Sequence, residues 1–117
     1  MKPQLNSLSE EELSFLISWG KVVKIPHDYV FVYEKHIPCA GVALIDGEIE
    51  AIKKSKIIET LPASTIFGIH QLVNNESVKK GYRIKGGSEI IFITKSEIME
   101  AIKSPGSKLM KLIRRFL

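Results

Sequence analysis

Polar and apolar residues alternate along the middle of this chain, and the period lengthens at both ends. Near the start, Leu13, Leu16 and Ile17 recur at helical spacing, with Phe15 and Trp19 broadening the stripe. Ser9 followed by Glu12 has the form of a capping box, Glu10 and Glu11 suit the positive end of a helix, and Gly20 closes it. The period then falls to two. Strands are predicted over Lys21–Ile25, Tyr29–Tyr33, Gly41–Ile45, Glu48–Lys53, Lys56–Leu61, Lys80–Lys85 and Glu89–Ile93. Asp46-Gly47 between two alternating runs predicts a tight hairpin turn, because Asp-Gly supplies the positive φ that a primed turn needs. Lys54-Ser55 and Gly86-Gly87 mark further turns. Many short strands at this spacing imply a sandwich or barrel. Thr94 with Glu97 forms a second capping box, opening a helix from Lys95 to about Lys103. Ser104-Pro105 then predicts the N-cap and first residue of a last helix with the apolar stripe Leu109, Leu112, Ile113 and Phe116.

A second glycine landmark lies some twenty positions after Asp46-Gly47. Leu61-Pro62 is followed by Ile66-Phe67-Gly68, read as a strand that ends on a glycine where a short helix begins. Backbone amides at such an elbow can face an anion. With 117 residues the chain predicts one domain with its own core. Cys39 is the only cysteine, which rules out an internal disulfide and favours a reducing compartment. Met1–Asn6 lacks the apolar run of a leader, and no stretch reaches the length of a membrane span, so a cytoplasmic location is expected.

The net charge of +4 places most weight on where the lysines lie. Lys79, Lys80, Arg83 and Lys85 form the densest basic cluster, with alternation putting Lys79, Arg83 and Lys85 on one face and Tyr82 and Ile84 on the other. That cluster is either a solvated strand face or an anion-binding one. Nonspecific nucleic-acid binding is a weaker reading, since only Tyr82 is near enough to stack on a base. His27, His36 and His70 share no metal-ligand spacing, and no metal or other cofactor is expected. Cys39 has no base nearby in sequence, and no nucleophile elbow, phosphate loop or carboxylate pair stands out, so no catalytic residue is assigned and a non-enzyme is expected.

The order of helix, β-roll, elbow, β-hairpin and two helices resembles the cyclic-nucleotide-binding domain. The residues that carry the resemblance are Gly20, Ile25-Pro26, Ile45 to Glu50, Leu61-Pro62, Ile66-Phe67-Gly68 and Leu72, then Lys95 to Lys103, Pro105 and Leu112. The resemblance implies a mainly β fold with flanking helices, a double-stranded β-helix or jelly-roll. One domain would span 1–117, with an N-terminal helical segment at 1–20, the roll at 21–94 and C-terminal helices at 95–117.

The family's phosphate-binding cassette has Phe-Gly-Glu, a short helix and an arginine; the glutamate holds the ribose hydroxyl and the arginine the cyclic phosphate. Here Phe67 and Gly68 are present, but Ile69 stands at the glutamate position and Val78 at the arginine position, with Lys79 and Lys80 just after it. Neither apolar side chain can make those contacts, and lysine lacks the bidentate fork of arginine. The resemblance therefore implies a retained frame with a degenerate cassette. The expected function is a regulatory or adaptor module acting on a protein partner. The alternative is a sensor of a cyclic nucleotide or cyclic dinucleotide using Phe67, Gly68, Ile69, His70, Lys79, Lys80 and Arg83. In this family the last helix pairs with a twin or caps the nucleotide, so Leu109, Leu112, Ile113 and Phe116 are candidate interface residues for a homodimer, or else pack on the roll. No helix-turn-helix segment follows Leu117, so sequence-specific DNA reading is not expected.

Overall fold

In the computed structural model, which describes residues 7–117, helix α1 (Glu10–Trp19) begins at its expected capping box. The Ser9 hydroxyl accepts from the Glu12 N–H, and the Glu12 carboxylate accepts from the Ser9 N–H. The N-terminal stretch read above as lacking a leader lies outside the described residues. Eight strands follow: β1 (Val22–Lys24), β2 (Tyr29–Val32), β3 (Ala40–Asp46), β4 (Ile49–Lys53), β5 (Lys56–Leu61), β6 (Ile66–Phe67), β7 (Gly81–Ile84) and β8 (Glu89–Thr94). Helix α2 (Ile69–Asn74) sits between β6 and β7. Helices α3 (Lys95–Ile102) and α4 (Lys108–Ile113) close the chain with a 3-10 turn, Arg114–Phe116.

The described strands form two four-stranded antiparallel sheets in the orders β1-β8-β3-β6 and β2-β7-β4-β5. This is the expected mainly β roll with flanking helices. One apolar core fills the space between the sheets, with Phe31, Val42, Leu44, Ile49, Phe67, Ile84 and Ile90 at its centre. The other lies between the first sheet and the helices, joining Leu16, Ile91, Ile93, Ile98, Leu112 and Ile113. Successive residues of β8 serve the two cores in turn: Ile90 faces one, and Ile91 the other.

Two readings need correction. First, Asp46-Gly47 is not a hairpin turn. β3 and β4 do not pair; they belong to different sheets, and the chain crosses between them here. Gly47 does have a positive φ of 106°, but its cause is packing, since a Cβ there would lie 2.3 Å from the Ser88 hydroxyl. Second, the last helix starts at Lys108 rather than Pro105. The Ser107 hydroxyl, not that of Ser104, caps it by accepting from the Met110 N–H at 3.1 Å. Of the two placements open for Leu109, Leu112, Ile113 and Phe116, the structure shows packing on the roll. All four are buried within the chain against α1, α3 and the first sheet, because the roll leaves that sheet's outer face apolar and α4 covers it.

Candidate ligand site

The elbow forms as the sequence predicts. β6 ends at Phe67, Gly68 takes the left-handed conformation (φ 90°, ψ −14°), and α2 begins at Ile69. Glycine is required here because a Cβ would stand 3.1 Å from the Ala40 carbonyl oxygen while holding an unfavourable φ. Phe67 turns inward and stacks on Tyr82 with ring centroids 4.4 Å apart, and meets Phe31 edge-on at 5.8 Å. Burial pushes the Tyr82 hydroxyl above its ordinary pKa, so it stays neutral over the physiological range. Ile69 is buried against Gly41, whose missing side chain makes room for it.

Val78 closes the opposite wall. Its backbone is fixed on both sides, donating to the His36 carbonyl at 2.8 Å and accepting from the Lys35 N–H at 2.7 Å. Its side chain is buried in the core between the sheets. Phe116, from the last turn of the chain, reaches over the rim. What remains between Phe67, Ile69, His70, Val78, Tyr82 and Phe116 is a cleft of about 100 Å³.

His70 is half exposed at the mouth, and its ring is engaged on both sides. Nε2 lies 3.2 Å from a Glu76 carboxylate oxygen. Nδ1 lies 3.0 Å from the Leu117 main-chain oxygen and 3.2 Å from the Asn74 side-chain nitrogen. The ring thus ties α2 to the closing turn. That turn is held from its far side by Arg115, which donates to Glu12 and to the Ser7 carbonyl and stacks on Phe116 at 4.4 Å.

The basic cluster lies elsewhere. Tyr82 points into the cleft, so its strand neighbour Arg83 points out, as the alternation predicts. Arg83 binds Glu50 through Nε at 2.9 Å and Nη2 at 2.7 Å. Lys85 binds Asp28 at 2.8 Å and lies 3.9 Å from Glu50. The Gly86 N–H and Lys85 hold the Asp28 carboxyl below its ordinary pKa, and Asp28 in turn raises that of Lys85. Lys80 reaches Glu59 at 3.2 Å. Lys79 is exposed and makes no ion pair among the described residues. The structure therefore brings Phe67, Gly68, Ile69 and His70 together at the cleft, while Lys79, Lys80 and Arg83 do not line it. Tyr82 and Phe116 are cleft residues that were not assigned to it from sequence. The signal for Tyr82 was its place opposite Arg83 in the alternation; for Phe116 it was the resemblance, in which the last helix can cap the ligand, while the apolar stripe alone reads as core packing. Among the described residues, no cluster of three metal-ligating side chains occurs, and no helix is long and apolar enough to cross a membrane.

No family model and no curated protein matches the sequence. Solved structures do match. One, from work on a cyclic-GMP-dependent signalling pathway that regulates bacterial phytopathogenesis, superposes with a TM-score of 0.74 at 16% identity, over 93% of this chain and 90% of that one. The catabolite activator protein of Thermus thermophilus gives a TM-score of 0.67 at 13% identity, over 98% of this chain and 55% of that one. A PKAR CBD2 structure with bound Sp-2Cl-cAMPS gives 0.62 at 16% identity, over 96% of this chain and 77% of that one. The chain has the fold of cyclic-nucleotide-binding domains.

Proposed function

We propose that this chain is a non-catalytic regulatory module on the cyclic-nucleotide-binding fold, that its cassette has lost nucleotide binding, and that it works through protein–protein contacts. The observation that carries this reading is the cleft itself. At about 100 Å³ it has room for a few waters, whereas sites for small organic ligands run to roughly 300 Å³ and more. Its chemistry points the same way. On the ungapped reading Ile69 and Val78 fall where the fold family has its glutamate and arginine, and both are buried among apolar neighbours. A cyclic phosphate moved there would lose its hydration and gain no counter-charge. Of the alternative cations, Lys80 and Arg83 are already paired with Glu59 and Glu50, and Lys79 is exposed and does not line the cleft.

Thermal unfolding with cyclic AMP, cyclic GMP and cyclic di-GMP tests the reading. A ligand at about one hundred times its Kd adds about 2.7 kcal/mol, which for a domain of this size raises Tm by several degrees. No saturable shift is expected. A saturable shift with one of them would overturn the proposal and make the chain a sensor.

A further inference from the structure

The roll has four edge strands, and three of them are short. β1, β2 and β6 have three, four and two residues. β5 has six, and Lys56 to Thr60 are all exposed. Ile57 and Ile58 expose 52% and 50% of their surface. A free edge presents unpaired N–H and C=O groups, and folds usually blunt it by brevity, charge or a bulge. β5 has the register break between Ala51 and Ile52 and lysines at one end, but it keeps two adjacent isoleucines in water.

The surroundings of this edge favour one kind of occupant. Gly81, Ile52 and Ile57 are paired across β7, β4 and β5 and form one row, with Ile57 as its exposed outer member. An apolar side chain on an added strand would continue that row. Lys53, Lys54 and Lys56 are exposed at the turn end and make no ion pair among the described residues. The one acidic residue of β5, Glu59, is already held by Lys80. A second copy paired antiparallel across this edge would set the lysine end of one β5 against the Thr60 and Leu61 end of the other, leaving the three lysines of each copy without a counter-charge. An acidic strand would meet an open edge whose three lysines outnumber the carboxylate at the turn, Glu34, which accepts from the Lys54 N–H at 3.0 Å.

We propose that β5 is a docking edge for an extended acidic segment of a partner protein. The segment would add a fifth strand to the β2-β7-β4-β5 sheet, hydrogen-bonding along β5, resting an apolar side chain on Ile57 and facing Lys53, Lys54 and Lys56 with carboxylates. The inference rests on the adaptor reading and names its surface. The nucleotide titration reports on the cleft and the experiment below on β5, so the two failures are distinguishable.

The test is an NMR titration of the full chain with a short peptide alternating valine with glutamate. Amide shifts are expected along β5 and the Lys54-Ser55 turn. The variant Lys53→Glu/Lys54→Glu/Lys56→Glu, shown folded by its own spectrum, should bind about tenfold more weakly or worse. A peptide N-methylated at alternate residues on the bonding edge should not bind. Absence of binding, shifts centred away from β5, or full binding by the charge-reversed chain would each overturn the proposal. So would retained binding of the N-methylated peptide. Dimerisation of the free chain through β5, seen by sedimentation, would assign the edge to a second copy and equally overturn it.

Discussion

Lys54 and Ser55 join two paired strands, and both take positive φ, 52° and 65°. A two-residue connection with both residues in that region is the primed turn that matches strand twist. Residues with a Cβ adopt it at a cost that Asn-Gly largely avoids. The double change Lys54→Asn/Ser55→Gly should therefore raise stability by about 1 kcal/mol, seen as a Tm increase of roughly 4 °C. The bond from the Lys54 N–H to Glu34, at 3.0 Å, belongs to the backbone and would survive. A fall in Tm would show that the turn is held by the side chains being replaced. The comparison with Asp46-Gly47 explains why sequence assigned the hairpins unevenly. Alternating residues around Asp-Gly look the same whether the next strand returns beside the first or crosses to another sheet. The glycine's positive φ was legible, because it is a local property. Its cause was not, because Ser88 lies some forty residues on.

At the scale of elements, capping decides where helices begin, and two serines compete for the start of α4. Ser104 precedes a proline, which suits a first helical residue, yet the Ser107 hydroxyl makes the cap. Ser107→Ala should cost about 1 kcal/mol in thermal or urea denaturation, while Ser104→Ala should stay within about 0.5 kcal/mol of wild type. The reverse order would move the helix start back to Pro105. Glu12 illustrates a cap with a second task, since it closes the capping box of α1 and also receives Arg115 from the last turn. Partial burial pushes its carboxyl up, but the Ser9 N–H and Arg115 outweigh this and hold it below its ordinary 4.5. A depressed carboxyl stabilises the fold above its unfolded pKa, and that contribution is lost as pH falls through the folded value. Glu12→Ala should cost about 1 kcal/mol at neutral pH. Glu12→Gln keeps the capping box without the charge, so it should cost less, and its Tm should converge with wild type once the pH is well below 4.5. A constant gap across that range would remove the charge from the explanation.

Across the whole molecule, the sequence conveyed the order of elements and the elbow, since periodicity and turn residues are local. The pairing of strands into two sheets, and the fate of the α4 stripe, depended on contacts between distant segments. An apolar stripe reads alike whether it covers its own roll or a twin. The same long-range packing leaves the closed cleft with two causes that sequence cannot separate: the reach of Phe116 over the rim, and the apolar identity of Ile69 and Val78. Phe116→Ala separates them. Removing a buried phenylalanine should cost roughly 3 kcal/mol. A chain of 117 residues at about 0.1 kcal/mol per residue has on the order of 10 kcal/mol, so the variant should remain folded with a lower Tm. Its cleft would open toward solvent. If occlusion were the whole obstacle, cyclic AMP or cyclic GMP should now bind in a calorimetric titration. The expected result is no binding, because the widened site would still offer the ribose no carboxylate and the phosphate no guanidinium. Measurable affinity in this variant alone would make the closing turn a lid over a competent site, and the cassette would then be masked rather than lost.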